Sequence, residues 1–372
     1  MSAPALIGTL LTASGHLFGR ITLNAPESLN ALTMEMVDII DPQLEQWAAD
    51  PRVAGVVIDA TGDKAFCAGG DIVGLYRSIK ATRAGDVPQD AAAFFAREYR
   101  LDYRIHRYPK PVVCWGTGIV MGGGIGLLAG GSHRVATLTS RMAMPETGIG
   151  LYPDVGGTWV LSHMAGKTGW FLGLTGISLN ASDALFAGLA NHVADPGQRG
   201  ALLEAIAATP WQGHREADAR QLDELLARLQ AGLTLPESPL RTNAARIDAL
   251  IEEDDLPVVV ERILALRSDA DAWMAKAANA VANASPTSLA LTSAMLQRAR
   301  TLSLADAFRL EYQASIGCCM HNDFSEGIRA LLIDKDKQPR WQPATLADVT
   351  PEHIARHLMP RFTGAHPLAD LI

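Results

Sequence analysis

Short apolar runs alternate with glycine-rich turns and amphipathic stretches over the first 200 residues. Four runs rich in β-branched residues predict strands, namely RITL (20–23), AGVVID (54–59), PVVCW (111–115) and HRVATL (133–138). Between Thr33 and Ala48 the apolar side chains recur every three or four residues, which predicts a helix packed on a sheet, with Thr33 as its N-cap. This alternation indicates an α/β fold.

The strand-like runs stop at about Ala201, and helical patterns follow one another from there. The stretches 217–230 and 256–267 are two examples, and a third amphipathic pattern extends from Leu304 to Ile333. Polar segments containing proline (210–216, 234–239 and 284–288) are typical of connections between helices. We therefore predict a core over residues 1–200, a helical accessory region over 201–284 and a C-terminal helical region over 285–372.

Composition and charge narrow the class of protein. Apolar residues make up 48% and charged residues 19% of the 372, which excludes wholesale disorder. The 32 basic residues against 40 acidic ones give a net charge of −8 without a basic run, so we expect no nucleic-acid partner. No apolar run is long enough to cross a membrane, and we expect no membrane partner either.

The cysteines and the first residues bear on location. The four cysteines, Cys67, Cys114, Cys318 and Cys319, show neither C-x-x-C spacing nor the density of a secreted disulfide scaffold, so we expect reduced thiols. No basic residue precedes Arg20, so neither a signal peptide nor a transit peptide is expected there. These features predict a cytoplasmic protein.

Two glycine-rich segments are candidates for chemistry. KAFCAGGDI (64–72) follows a predicted strand, and its small residues let a ligand approach free backbone N–H groups. GTGIVMGGGIGLLAGG (116–131) opens a short apolar helix with three glycines, which suits a developing oxyanion. An ordinary strand-to-helix turn is the alternative reading of the first segment.

A third segment, MAMPETGIGLYPDVGGTW (142–159), carries two carboxylates in apolar surroundings. Partial burial would disfavour the charged forms of Glu146 and Asp154 and would adapt them to general acid/base work. Their spacing of eight residues permits convergence on one cleft without requiring it. The structural alternative is that Glu146 caps a helix and Asp154 stabilises a turn.

Several familiar motifs fail on single residues. Met121 stands where a dinucleotide fingerprint needs its third glycine, no phosphate loop of the G-x-x-x-x-G-K-[ST] type occurs, and Arg134 breaks a G-x-S-x-G elbow. His353 and His357 are one helical turn apart, but Ile354 replaces the glutamate of H-E-x-x-H, which favours a surface helix. Adjacent Cys318 and Cys319 are interpreted as core residues. We expect no metal site.

Three segments taken in order resemble the crotonase, or enoyl-CoA hydratase/isomerase, superfamily. They are LNAPESLNALT (23–33), KAFCAGGDI together with MGGGIG (121–126), and MPETGIGLYPDVGG (144–157); the resemblance continues more loosely in DFSEGIRALLIDKD (323–336). It implies a spiral of ββα units that binds acyl-CoA thioesters. It also implies that the backbone N–H groups of Gly70 and Gly123 hold the thioester oxygen, while Gly69, Asp71 and Gly122 contribute to substrate binding.

The pattern of carboxylates favours one branch of this superfamily. Enoyl-CoA hydratases carry a second catalytic glutamate at the position of Gly126, and dienoyl-CoA isomerases carry an acid there as well. The chain is more similar to the 3-hydroxyisobutyryl-CoA hydrolases, in which a further glutamate in the acyl pocket matches Glu98. The resemblance thus implies hydrolysis of a short 3-hydroxyacyl-CoA in valine degradation, with Glu146 as catalyst and Asp154 as a second catalytic residue.

Other functions remain open at this stage. A hydratase or double-bond isomerase could use Glu146 alone, and a non-catalytic acyl-CoA binder would make both carboxylates structural. No cofactor is expected, because coenzyme A is part of the substrate. Relatives often trimerise through terminal helices, so a homo-oligomer is one expectation; burial of those surfaces by the extra helical region within one chain is the other.

Overall fold

The structure is a computed structural model that describes residues 3–253 and 255–372. Its nine strands within these residues are β1 Ala5–Leu11, β2 Leu17–Leu23, β3 Val53–Ala60, β4 Ala65–Cys67, β5 Val112–Gly116, β6 Ile119–Met121, β7 His133–Thr137, β8 Arg141–Ala143 and β9 His192–Ala194. The four strands predicted from sequence are confirmed as β2, β3, β5 and β7.

The described residues form seventeen α-helices. They are α1 Met34–Ala49, α2 Ile72–Ala81, α3 Gln89–His106, α4 Gly123–Ala129, α5 Gly157–Ser162, α6 Thr168–Thr175, α7 Ala181–Phe186, α8 Arg199–Ala208, α9 Arg215–Gln230, α10 Pro239–Thr242, α11 Ala244–Leu250, α12 Leu256–Leu264, α13 Ala272–Asn283, α14 Pro286–Ala299, α15 Leu304–Met320, α16 Asn322–Ile328 and α17 Pro351–His357. No strand follows Ala194 in the described part of the chain, as the sequence pattern predicts.

The chain forms two compact units. The first comprises the residues up to Gly70, Arg100–Met142 and Leu179–Arg241; the second comprises Asp71–Tyr99, Ala143–Ser178 and Thr242–Ile372. These units interleave along the chain, whereas the division into 1–200, 201–284 and 285–372 follows chain order and stays a prediction.

The first unit is built on a six-stranded sheet in the order β1-β2-β3-β5-β7-β9. Its β1–β2 pair is antiparallel and the remaining pairs are parallel. Helix α1 begins where the Thr33 side chain accepts a hydrogen bond from the Met36 N–H, and its buried face includes Ile40, Leu44 and Trp47. The predicted cap and apolar face are therefore both confirmed.

The apolar core of the first unit explains why helices α8 and α9 pack on the sheet. Trp211 is buried against Phe18, with ring centroids 4.7 Å apart. Leu222 and Leu226 of α9 belong to the same buried cluster as Trp115 of β5. Burying such large side chains contributes about 1.5–3 kcal/mol each, so the sheet and these helices stabilise one another.

The second unit is mainly helical, and it corrects one prediction. His357 lies in α17, but it is buried and stacks on His321 with ring centroids 4.0 Å apart. The prediction of a solvent-exposed helix is therefore wrong at His357. An imidazole ring is flat and partly apolar, so it can pack in the interior. Cys318 and Cys319 are buried free thiols, as predicted. No helix among the described residues is both long and apolar enough to span a membrane.

Candidate active site

The two glycine-rich loops lie side by side in the first unit. Strand β4 pairs with β6 in a parallel arrangement, so the segments that follow both strands emerge at the same edge of a three-stranded sheet. A Cβ atom on Gly124 would lie 2.3 Å from the carbonyl oxygen of Cys67, and one on Gly69 would lie 3.7 Å from that of Met121. Only glycine allows the first of these approaches.

Backbone conformation sets the direction of the loop amides. Gly69 has φ +120° and Gly122 has φ +48°, both in the region that favours glycine. Gly122 is the N-cap of α4, which makes Gly123 the first helical residue. An N–H group in the first turn has no acceptor within its own helix and can bind a ligand oxygen. The structure thus places Gly70 and Gly123 on neighbouring loops of the first unit.

Asp71 has a structural role that the sequence did not reveal. It is the N-cap of α2, and its Oδ1 accepts a hydrogen bond of 3.0 Å from the Gly74 N–H. A Cβ atom on Gly74 would lie 2.7 Å from Asp71 Oδ2, so this turn is tight. A contact between Asp71 and substrate stays a prediction.

Glu146 begins a short 3-10 helix of the second unit that is held from several sides. Its backbone oxygen accepts from the Leu151 N–H at 3.0 Å, and Thr147 O accepts from the Ser285 N–H at 2.9 Å. The Glu146 side chain is 4% exposed and its Oε2 has no hydrogen-bond partner among the described residues. Burial, reinforced by the charge of Asp154, raises the pKa of Glu146 well above its usual range. One carboxyl oxygen is thus without a partner in the described structure, and the choice between a catalytic and a capping role stays a prediction.

Gly150 holds this turn against helix α16. It has φ +79°, and a Cβ atom there would lie 2.2 Å from the backbone carbon of Asp323. We expect Gly150→Ala to lower the free energy of unfolding by about 2–4 kcal/mol, because it adds strain and displaces packed backbone. The matched control is Gly148→Ala, where the added methyl meets nothing within 4 Å. Equal thermal stability of the two variants would contradict this account.

Asp154 is buried beside a tyrosine. The Tyr99 hydroxyl donates a hydrogen bond of 2.6 Å to Asp154 Oδ2. Burial raises the pKa of Asp154 to about 6, and the bond from Tyr99 opposes that rise. The charge of ionised Asp154 raises the pKa of both Glu146 and Glu98.

Glu98 is a further buried carboxyl of the second unit. It lies on α3, one residue before Tyr99, and is 2% exposed. Its Oε1 has no hydrogen-bond partner within the described chain, and burial followed by the Asp154 charge raises its pKa well above the usual range. A buried acceptor without a partner lowers stability, so it is typical of a group that binds a ligand.

Helix α15 supports Asp154 through residues that the sequence reasoning missed. The Ser315 hydroxyl lies 2.7 Å from the Tyr99 hydroxyl and 2.9 Å from that of Tyr152. The Glu311 carboxyl accepts hydrogen bonds from the Gly156 N–H at 2.7 Å and from the N–H and hydroxyl of Thr158, so it anchors the turn after Asp154.

A sequence signal for these supporting residues exists. Glu311 occupies the same apolar helical face as Phe308 and Ser315, three and four residues away. A carboxylate on such a face is almost never buried without partners, so it predicts a buried polar network. Burial raises the pKa of Glu311 to about 8, and the bonds from Thr158 and Gly156 oppose this.

The predicted site residues are therefore distributed over two units. The loops with Gly69, Gly70, Gly122 and Gly123 belong to the first unit, whereas Asp71, Glu98, Glu146 and Asp154 belong to the second. The first unit holds the neighbouring glycine loops, and in the second unit Glu98, Glu146 and Asp154 are buried carboxyls of raised pKa. The catalytic and binding roles of all these residues stay predictions.

The class of protein follows from the family comparison. A family model described as enoyl-CoA hydratase/isomerase matches residues 18–358, and the chain belongs to this family. The predicted resemblance and the crotonase-like α/β fold are thereby confirmed.

Individual relatives refine the comparison. The chain is 39% identical to the mitochondrial 3-hydroxyisobutyryl-CoA hydrolase of Gallus gallus over 339 residues, which covers 90% of this chain and 85% of the relative. The corresponding enzyme of Danio rerio is 40% identical with the same coverage, and that of Homo sapiens is 37% identical over 91% of this chain and 85% of its own.

Two solved structures have the same fold but are named for activities other than hydrolysis. A carnitinyl-CoA dehydratase from Mycobacterium thermoresistibile superposes with a TM-score of 0.84 at 37% identity. An enoyl-CoA hydratase from Rhodobacter sphaeroides gives 0.78 at 38% identity. Each match covers 96% of this chain and 97% of the other.

The predicted cytoplasmic location is wrong by this comparison. The relatives from Gallus gallus, Danio rerio and Homo sapiens are all mitochondrial enzymes. A location signal is read separately from the folded domain, so composition and reduced cysteines do not distinguish the cytoplasm from another reducing compartment.

Proposed function

We propose that this protein hydrolyses 3-hydroxyisobutyryl-CoA to 3-hydroxyisobutyrate and coenzyme A, a step of valine degradation. The observation that carries the proposal is its 37–40% identity, over about nine tenths of the chain, with relatives named for this activity. Gly126 supports it, because this residue of α4 has no side chain to supply the second acid of a hydratase. Hydrolysis of a thioester needs one carboxylate and an oxyanion site.

In the proposed reaction, the N–H groups of Gly70 and Gly123 bind the thioester oxygen, and Glu146 acts on the carbonyl carbon. As a general base, ionised Glu146 takes a proton from water while the hydroxide adds to the carbon. The tetrahedral oxyanion then collapses and the carbon–sulfur bond breaks. The departing thiolate takes up the proton that Glu146 removed from water. As a nucleophile, Glu146 would instead attack the carbonyl carbon and expel the coenzyme A thiolate as the carbon–sulfur bond breaks. Water then cleaves the resulting mixed anhydride to 3-hydroxyisobutyrate and free Glu146.

The remaining carboxyls have positioning and recognition roles in this proposal. Asp154, held by Tyr99, orients Glu146 or the attacking water, or accepts a hydrogen bond from the substrate's 3-hydroxyl. Glu98 is a further polar contact of the acyl group. Their burial gives these bonds more weight than they would have in water. Gly69, Gly122 and Asp71 contribute backbone or side-chain contacts to the acyl-CoA.

The direct test is a thiol-trapping assay with 3-hydroxyisobutyryl-CoA. We expect one free thiol for each molecule of 3-hydroxyisobutyrate formed. The alternative is a hydratase or isomerase; the two similar solved structures are a carnitinyl-CoA dehydratase and an enoyl-CoA hydratase, which favours the hydratase. Gain or loss of the conjugated enoyl-thioester absorbance without thiol release would establish that alternative, and binding without either product would identify an acyl-CoA binder.

The acid limb of the pH profile should depend on Asp154. Only ionised Glu146 is a base, so activity is present above its pKa and is lost as the pH falls through it. The Asp154 charge raises this pKa. We therefore expect Asp154→Asn to move the acid limb of kcat/KM toward lower pH, with a smaller loss of kcat than Glu146 variants show. An unchanged rate and profile would reduce Asp154 to a turn residue.

Tyr99→Phe should shift the pH profile of kcat/KM, because Tyr99 donates a hydrogen bond to Asp154. The variant keeps the aromatic ring that packs near Phe95 and Phe308 but loses the hydroxyl donor to Asp154. Because that bond lowers the pKa of Asp154, its loss should raise this pKa and reduce the negative charge beside Glu146, which moves the acid limb of kcat/KM toward lower pH, as in Asp154→Asn. Asp154 also loses the donor that holds it in place, and we expect this to reduce kcat about tenfold. Tyr76→Phe, a half-buried tyrosine of the same unit, is the matched control and should be silent.

A further inference from the structure

A cluster of two histidines and an aspartate lies in the first unit, formed by residues that the acyl-CoA chemistry does not use. His133 and His192 begin the adjacent parallel strands β7 and β9, and Asp223 lies on α9. The two imidazole rings stack with centroids 5.8 Å apart and planes inclined by 13°. One nitrogen of each ring and one carboxylate oxygen lie within 4.8 Å of one another.

The distances from the two ring nitrogens to the aspartate oxygen match those between metal ligands. His192 Nε2 is 3.1 Å and His133 Nε2 is 3.4 Å from Asp223 Oδ1. With metal–ligand bonds of about 2.0–2.1 Å, a tetrahedral site separates its ligand atoms by about 3.3 Å. The backbone oxygen of Ala219 lies 3.0 Å from His133 Nε2 in hydrogen-bond geometry, so an ion bound to this nitrogen would replace that bond.

Hydrogen bonding around His133 leaves Nε2 available in one tautomer. The Ser132 hydroxyl accepts from the Val112 N–H at 2.9 Å and lies 3.1 Å from Val112 O, to which it can donate. Its second lone pair then accepts from His133 Nδ1–H, 2.9 Å away. In the other tautomer His133 Nε2–H donates to Ala219 O. In this one the Nε2 lone pair faces the oxygens of Asp223 and Ala219, and a cation between them would stabilise the arrangement.

The groups around the two rings set the charge at this cluster. Neutral imidazole is the form that binds metals. The Asp223 carboxylate neutralises part of the ion's charge, whereas the neighbouring Arg134 opposes it. His133 is 2% exposed, while the Asp223 side chain is 58% exposed and leaves an entry path for the ion.

We propose that His133, His192 and Asp223 form a site for a divalent transition metal, with Zn²⁺ the preferred ion for this ligand set. Two imidazoles and one carboxylate are common zinc ligands, and Ser132 would supply the outer hydrogen bond that orients His133. The ion would link strands β7 and β9 to helix α9 and so stabilise the first unit, independently of acyl-CoA hydrolysis.

The test is titration of chelator-treated protein with Zn²⁺ followed by calorimetry and thermal unfolding. We expect one equivalent to bind with micromolar affinity or better and to raise Tm. His192→Ala and Asp223→Asn should each weaken binding at least tenfold, because both remove a ligand. His214→Ala, an exposed histidine directly before α9, should bind as the parent does.

A second ion gives a spectroscopic check. Co²⁺ in place of Zn²⁺ should show the intense visible absorption of a tetrahedral site, and both ligand variants should lose it. Absence of stoichiometric binding, or Zn²⁺ binding that persists in His192→Ala and Asp223→Asn, would overturn the proposal. In the first case the cluster is a hydrogen-bonded network only. In the second case the ion binds elsewhere. Neither readout depends on enzyme activity.

Discussion

Glu146→Gln should abolish hydrolysis, lowering kcat by about 10³-fold or more, while acyl-CoA still binds. Glutamine has nearly the same shape but can neither accept a proton from water nor attack the carbonyl, and general base catalysis is worth about 10²–10⁴-fold. The measurement is single-turnover release of free thiol from 3-hydroxyisobutyryl-CoA, with equilibrium binding of a non-hydrolysable acyl-CoA analogue in parallel.

Stability is the control for this variant. Glu146 is buried and its Oε2 has no partner among the described residues, so the neutral amide should leave the free energy of unfolding unchanged or higher. Hydrolysis at the parent rate in Glu146→Gln would assign catalysis to another group, with Glu98 and Asp154 the first to examine.

Gly123→Pro should reduce kcat by about 10²–10³-fold, because it deletes one proposed donor to the thioester oxygen. Proline is favoured at the first position of a helix, where Gly123 lies, and its missing N–H is not needed there. The loss of about 3–4 kcal/mol should therefore fall on transition-state stabilisation more than on folding.

The matched control is Gly123→Ala, which adds a side chain but retains the N–H. The difference in kcat between these two variants isolates the hydrogen bond from the effect of added volume, and thermal unfolding checks that both are folded. Equal activity of the proline and alanine variants would remove Gly123 from the oxyanion site.

Local features of the fold could be predicted from sequence because they depend on neighbours in the chain. The Thr33 cap and apolar face of α1 are examples, since both need only positions a few residues apart. The glycine triplet that opens α4 is another. Motif resemblance then predicted the family, although Glu146 and Asp154 alone left the choice between catalytic and structural roles open.

Contacts between distant segments could not be predicted in the same way. Tyr99 meets Asp154 and Ser315 across 55 and 216 positions of the chain, and no local periodicity encodes such pairs. His133 and Asp223 are 90 positions apart; His133 is the first residue of strand β7, and Asp223 lies in helix α9. The burial of His357 depends likewise on a distant segment. His321, which directly follows helix α15, stacks on the His357 ring.

The most direct test of the central claim is hydrolysis of 3-hydroxyisobutyryl-CoA in ¹⁸O-labelled water, with mass analysis of the products. The account predicts 3-hydroxyisobutyrate with ¹⁸O in its carboxyl group and one free coenzyme A per turnover, both lost in Glu146→Gln. Intact thioester with a changed double bond or hydroxyl group, and no labelled acid, would contradict it.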